Sequence, residues 1–280
     1  MMKRIVTFLL VLFLANQLVA QVRPARKKEF KKFYESTTYI VKDKDPFTKF
    51  NEKMRAAIEN HWTLTPVEFI TYDEFHRKRT NENYSFMILA NIKQNNMDEV
   101  YEFINFVMGN KKRDFERMPD LGSVPLCYRE ANPHNYYYKI GGFVKFMQTY
   151  AKEETTTDRL KLSKFLKMRD DQLKSMELWL LESEVAPGIN TLEKIQKVYP
   201  YTVKFVTKDE IENAIDQDME NVAFLHKIGP EDTIEYFYGK RCWKFILSAK
   251  DGKVLYSSFH EIDRDNPDAF LASDLEEIKK

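Results

Sequence analysis

The sequence predicts an α/β protein built from two tandem copies of one unit. Three observations carry that prediction. Val67-Glu68-Phe69-Ile70-Thr71-Tyr72-Asp73-Glu74-Phe75 recurs as Val203-Lys204-Phe205-Val206-Thr207-Lys208-Asp209-Glu210-Ile211, 136 residues further on. At the same spacing Ser85-Phe86-Met87-Ile88-Leu89 meets Asn221-Val222-Ala223-Phe224-Leu225, and a helical stretch ending at Trp62 corresponds, with a gap, to one ending at Tyr199. Several matches in one order indicate a duplicated unit. Second, strand-like and helix-like periodicities alternate as β-α-β-α-β in each copy, which predicts mainly parallel, Rossmann-like sheets. Third, each copy closes with a β-hairpin pattern and a helix.

Copy one opens with a strand over 34–41. The next helix is capped by Asp45, has Pro46 at its first position, and carries Phe47, Phe50, Met54, Ile58 and Trp62 as an apolar stripe. A strand over 67–71, a short helix and a strand over 84–92 follow. Asn96 and Glu99 fit a capping box and Gly109 a stop, predicting an inserted helix over 97–108. The segments 126–130 and 136–140 then read as a hairpin around Asn132-Pro133-His134-Asn135, followed by a helix over 143–152. In copy two the expected elements are a strand over 176–181, a helix over 191–199 and strands over 203–207 and 221–228. A hairpin of 242–249 with 253–262 turns at Lys250-Asp251-Gly252, and a helix over 267–278 closes the chain. The implied layout is a signal peptide (1–20), a basic arm (21–33), the first repeat domain (34–153), a linker helix (154–174) and the second repeat domain (175–280). In the linker, Leu162, Phe165, Leu166, Met168 and Leu173 supply the apolar positions.

The first twenty residues carry Lys3 and Arg4, an apolar run over 5–14, and Leu18-Val19-Ala20. That is the pattern of a secretory signal cleaved between Ala20 and Gln21, and the run is too short to span a bilayer. The expected product is exported, periplasmic or extracellular, with no transmembrane anchor. Its basic arm (Arg23, Arg26, Lys27, Lys28, Lys31, Lys32) reads either as contact with an anionic surface or as a solvated, frayed terminus, the latter being the default. Across 280 residues, 44 basic side chains balance 43 acidic ones, so no nucleic-acid partner is expected. Only eight glycines occur, and no G-x-G-x-x-G or P-loop pattern is present.

The chemical candidates each have a plain structural alternative. Asp73-Glu74 and Asp209-Glu210 sit where α/β sheets place ligands, yet Thr71-x-x-Glu74 and Thr207-x-x-Glu210 also fit capping boxes. Gly141-Gly142, with Lys139 and Lys145 nearby, could cradle an anion or simply make a tight turn. His226 and His260 could converge with Glu231 or Asp263, but no zinc-binding spacing is present among the histidines. Cys127 and Cys242, the only cysteines, each open the first hairpin strand of their copy; they could pair across a pseudo-twofold or remain two buried thiols. Lys111-Lys112-Arg113 and Arg117 could dock an acidic partner or belong to a solvated connector. Alternation along Tyr136-Tyr137-Tyr138 should expose at least one ring. Polar residues at the strand ends define the cleft candidates: Asp43, Asp73, Asn91 and Lys93 in copy one; Glu182, Asp209, His226 and Lys227 in copy two. No cofactor, metal or catalytic set is expected.

Residues Val19-Ala20-Gln21, Trp62…Pro66-x-Glu68-Phe69-Ile70 and Phe86-Met87-Ile88-Leu89 resemble the uncharacterised exported proteins of Bacteroidota-type bacteria. The resemblance implies a Gram-negative envelope location and no activity. The expected function is therefore non-enzymatic binding of a protein partner or ligand. The alternative is a small-molecule receptor or enzyme with its site in the cleft between the repeats.

Overall fold

The computed structural model describes residues 23–45, 48–93, 99–112, 114–156, 169–231 and 238–280. Helix α1 (Lys27–Tyr34) precedes the first unit: β1 (Thr37–Val41), α2 (Phe50–His61), β2 (Val67–Ile70), α3 (Tyr72–Lys78), β3 (Tyr84–Lys93), β4 (Val100–Met108), β5 (Val124–Tyr128) and α4 (Ile140–Thr156). The second unit repeats the order: β6 (Glu177–Leu180), α5 (Leu192–Val198), β7 (Val203–Phe205), α6 (Lys208–Asp216), β8 (Val222–Ile228), β9 (Arg241–Ser248), β10 (Val254–Glu261) and α7 (Ala272–Lys279).

Each unit holds one five-stranded sheet, ordered β2-β1-β3-β4-β5 and β7-β6-β8-β9-β10. In both, the first three strands are parallel and the last two antiparallel. The duplication is thus a shared topology, strand for strand. The sheets are mixed, which corrects the expectation of mainly parallel ones. In the first sheet the cause is the predicted helix 97–108, which is strand β4; in the second it is the expected hairpin, which supplies both antiparallel pairings. Val100, Phe103, Ile104 and Val107 satisfy a helical spacing, but the segment is buried on both faces and has no polar alternation to mark it as a strand. Asn96 lies outside the described residues.

Pairing also refines the repeat. Thr38 lies between Val67 and Ser85, as Leu178 lies between Val203 and Ala223. Ser85 therefore corresponds to Ala223, two residues beyond the sequence match. The cause is local: α3 has seven residues and α6 nine. A shift of two preserves side-chain parity, so the apolar faces still agree. Both repeated acidic pairs open these helices through complete capping boxes, Thr71 with Glu74 and Thr207 with Glu210.

The hairpin of copy two forms as expected. In copy one, 136–140 is not a strand but a 3-10 turn, Tyr137–Lys139, that feeds α4. That helix lies between the units. Toward the first it meets α1 and α2: Phe30 packs near Tyr150, and Gln148 donates to the His61 carbonyl. Toward the second, Gly141 and Gly142 face Ile215 and Phe224, and a Cβ on Gly142 would stand 2.7 Å from Phe224 Cζ. The glycine pair therefore lies within α4 rather than in a tight turn and allows close approach to the second unit. One core runs through both units and includes Val222, Phe224, Trp243 and Leu247; a smaller one lies beneath α5 and α7.

The basic arm is folded, not frayed, from Lys27 onward, with Phe30 and Phe33 buried. Residues 1–22, including the predicted Ala20/Gln21 cleavage, lie outside the described residues, as do Pro46, Phe47, Arg113, Leu162, Phe165, Leu166 and Met168. Among the described residues no helix is long and apolar enough to cross a membrane. If close packing at α4 joins the units, Gly142→Val should lower unfolding stability by about 2 kcal/mol through overpacking. Gly188→Ala, with nothing within 4 Å of its Cβ, should stay within roughly 0.5 kcal/mol of the parent. Urea denaturation of both variants checks this.

Candidate functional site

The carboxyl ends of parallel strands are where an α/β sheet usually presents chemistry. In the second unit these ends carry Glu184 in the turn after β6, Lys208 at the start of α6, and His226 and Lys227 at the end of β8. The Tyr136–Lys139 segment of the first unit lies over them. Its three tyrosines are all buried, against the expectation of an exposed ring, because a 3-10 turn points successive side chains in different directions. Tyr136 stands edge-on to His226, Tyr137 bonds Thr48 Oγ1 in the first unit at 3.1 Å, and the Tyr138 ring lies 4.9 Å beneath the Lys139 ammonium.

Lys139 is fully buried and lies 3.3 Å from Glu184 Oε1. Burial pulls its ammonium below the ordinary lysine range, against the opposing charge of Glu184. Lys227 is 2.8 Å from Asp268 Oδ1. Burial is the largest single influence and works against its charge too, but the acidic groups around it, Asp268 first, together outweigh burial and the net shift is upward. The rim continues from Lys208 to Asn135 Oδ1 (2.9 Å), from Asn135 to Glu231, and from the Glu231 amide to Asp268 Oδ2 (2.9 Å). Glu231 adopts φ 62°, a left-handed conformation that non-glycine residues rarely hold.

His226 is buried against Phe143, Tyr136 and Phe245. Its Nε2 lies 2.9 Å from the Pro125 carbonyl, which can only accept, so Nε2 carries the proton. Its Nδ1, the Tyr138 hydroxyl and Glu184 Oε2 have no hydrogen-bond partner. His260 points to the other face, 2.8 Å from Lys244 Nζ, so the two histidines do not converge. Among the described residues no group of His, Cys, Asp and Glu could hold a metal ion.

The other candidates disperse. Asp73 and Asp209 are exposed at the starts of α3 and α6, and Glu182 and Asn91 are exposed as well. Asp43 is tied to Asn51. Lys111, Lys112 and Arg117 are exposed, and Arg117 pairs with Asp114. Cys127 and Cys242 are free and buried, correcting the possible disulfide. They are not equivalent: Cys127 lies on β5 beside Glu102, whereas Cys242 lies on β9 and donates to the Ala269 carbonyl. Burial pushes both thiols above the ordinary range. Sequence reasoning thus placed His226 and Lys227 at this site, weighed Lys139 only beside the glycine pair, and missed Glu184 and Asp268, which pair with Lys139 and Lys227. The run of three tyrosines before Lys139 was the available signal.

Chemically, the arrangement is a set of closed ion pairs and rings, with three unpartnered polar atoms around Lys139. No family model, curated protein or solved structure matches this chain.

Removing one member of a buried pair leaves an uncompensated charge. Lys139→Met should therefore cost about 3–5 kcal/mol, and Lys139→Met/Glu184→Leu should recover most of it; denaturation of both variants measures the coupling. For His226, burial first and the Lys139 charge second hold the ring neutral well below the usual histidine range. The unfolded ring takes a proton near pH 6.5, so the unfolded state binds more protons as the pH falls. Stability present above that pH is then lost below it, by up to about 1.4 kcal/mol per pH unit. In His226→Phe the stability between about pH 6.5 and 5 should fall less steeply by that share. An unchanged slope would show that the ring is not kept neutral by the fold.

Proposed function

We propose that this chain is an exported, non-enzymatic tandem α/β protein of the bacterial cell envelope that binds a protein partner or ligand. One observation carries the non-enzymatic part of the reading. The strand ends that would host chemistry in the second sheet are covered by Tyr136–Lys139, and the two buried amines there, Lys139 and Lys227, are each paired with a carboxylate. Both thiols are held protonated by burial, and His226 is enclosed by aromatic rings. None of these groups is placed as an accessible nucleophile or base. The envelope location is supported by the sequence: the signal pattern ending at Ala20 and the resemblance to exported proteins.

A second reading, a receptor or enzyme with a site between the repeats, is favoured by one feature. Glu184 Oε2, the Tyr138 hydroxyl and His226 Nδ1 are buried and unpartnered around Lys139. A small polar ligand could engage them if the tyrosine turn moved aside.

Native mass spectrometry of the protein purified from its own cells through a carboxyl-terminal tag tests both. The expected result is a chain starting at Gln21, with two free thiols and no retained small molecule. A mass that still includes residues 1–20 overturns export. A stoichiometric small molecule, lost in Lys139→Met/Glu184→Leu, moves the assignment to the second reading.

A further inference from the structure

The outward lysines of α1 form a charged surface whose placement the fold fixes. At 100° per residue, Lys27, Lys31, Lys28 and Lys32 span an arc of about 140° opposite the buried Phe30 and Phe33. The two phenylalanines lock the helix in that orientation: Phe30 is near Tyr150, and Phe33 packs edge-on to Trp62 and Phe106. The lysines are therefore held on one side rather than spread over a mobile tail. Glu82 lies 3.6 Å from Lys32 and 3.9 Å from Lys111, which brings Lys111 and its neighbour Lys112 beside the helix. The single acidic residue of α1, Glu29, bonds Arg23 (3.0 Å) and the Arg26 amide (2.6 Å), so that with Glu82 at Lys32 the four lysines of the arc are answered only in part.

The remaining chain is close to neutral, so this is a local concentration of charge rather than a consequence of composition. Phosphates arrayed in a plane complement ammonium groups arrayed on one face of a short helix. An extended groove suited to a nucleic-acid strand, with aromatic rings interleaved among the basic groups, is not what surrounds these lysines: both phenylalanines of α1 are buried.

We propose that this face docks the protein on an anionic phospholipid membrane, with α1 lying against the headgroups. The proposal rests on the envelope reading only for which membrane is met. Docking itself requires the lysine arc alone.

The test compares wild type with Lys27→Gln/Lys28→Gln/Lys31→Gln/Lys32→Gln. A charge-matched control, Lys197→Gln/Lys204→Gln/Lys279→Gln/Lys280→Gln, changes lysines of the second unit. Each protein is purified from its own cells, its start fixed by mass, and mixed with phosphatidylcholine vesicles with and without roughly one-third phosphatidylglycerol. A lysine near such a surface contributes about a factor of five to partitioning. The arm variant should therefore lose at least about a hundredfold on phosphatidylglycerol vesicles, with unchanged circular dichroism, and the control should lose less than about fivefold. Raising the salt should weaken the wild type and leave the arm variant unmoved.

Equal partition of wild type and arm variant overturns the proposal, as does equal loss in both variants. Wild type that ignores anionic vesicles but binds heparin overturns the membrane assignment in favour of a soluble polyanion. Because the comparison is between variants with the same start, it reads the lysine arc even if the export reading fails, and the mass reports that failure separately.

Discussion

Helix α4 has to satisfy two hydrophobic cores at once, and much of the molecule follows from that constraint. It ends the first unit, yet one side of it is needed by the second. Phe143, Val144, Met147 and Ala151 form one inaccessible stripe, Gly142 and Lys145 are buried on other sides, and Phe146, Gln148, Thr149 and Tyr150 are half-buried. A helix covered on several sides can approach a sheet closely only where side chains are small, which accounts for Gly141 and Gly142. Its one charged residue in this stretch, Lys145, does not sit in apolar surroundings. Its ammonium takes the carbonyls of Ile215 and Ala249 and pairs with Asp218 at 2.6 Å. A lysine from one unit thus caps the end of a helix in the other, where the carbonyls are unsatisfied by the helix itself.

How much of this was legible in the sequence depends on whether the cause was local. The capping boxes at Thr71 and Thr207 were legible because every participating atom lies within three residues. So was the hairpin around Asp251-Gly252, where Gly252 has φ 69°. Strand β4 was not, because burial on both faces removes the polar alternation that separates a strand from a helix. The exact repeat offset failed at α6, where two extra residues lengthen a helix without altering the pattern on either side. For the site, His226 and Lys227 could be placed at a strand end from periodicity alone. Their partners could not: His226 meets the Pro125 carbonyl, 101 residues away, Lys227 meets Asp268, and the neighbouring pair of Lys139 and Glu184 is 45 residues apart. Nothing in either segment announces that a turn of one copy lands on the strand ends of the other.

The two buried lysine pairs show why distance and burial must be weighed together. Lys227 and Asp268 are both almost inaccessible and 2.8 Å apart, and attraction exceeds the cost of desolvation. Lys139 is fully enclosed, its carboxylate is farther away, and Lys227 and Lys208 add repulsion, so desolvation dominates. A pair of the second kind is a poor source of stability. Its value lies in specificity: Glu184 accepts a proton donor only where the Tyr136–Lys139 turn delivers one. That fixes how the first unit sits on the second more narrowly than apolar contacts, which tolerate sliding.

The same residue type then divides into two populations by environment. Lys139 and Lys145 come from the first unit, point inward and are answered by groups of the second. The lysines of α1 also come from the first unit, but Phe30 and Phe33 consume the inward side of that helix and leave the ammonium groups facing water without carboxylates of their own helix to balance them. A protein that neutralises its buried amines so thoroughly has the internal acidic partners to do so; the α1 lysines remain outside that arrangement. Within the fold Glu82 answers Lys32 at 3.6 Å, and the excess that remains costs little in water; in the proposed docking an anionic surface supplies the rest of the negative charge.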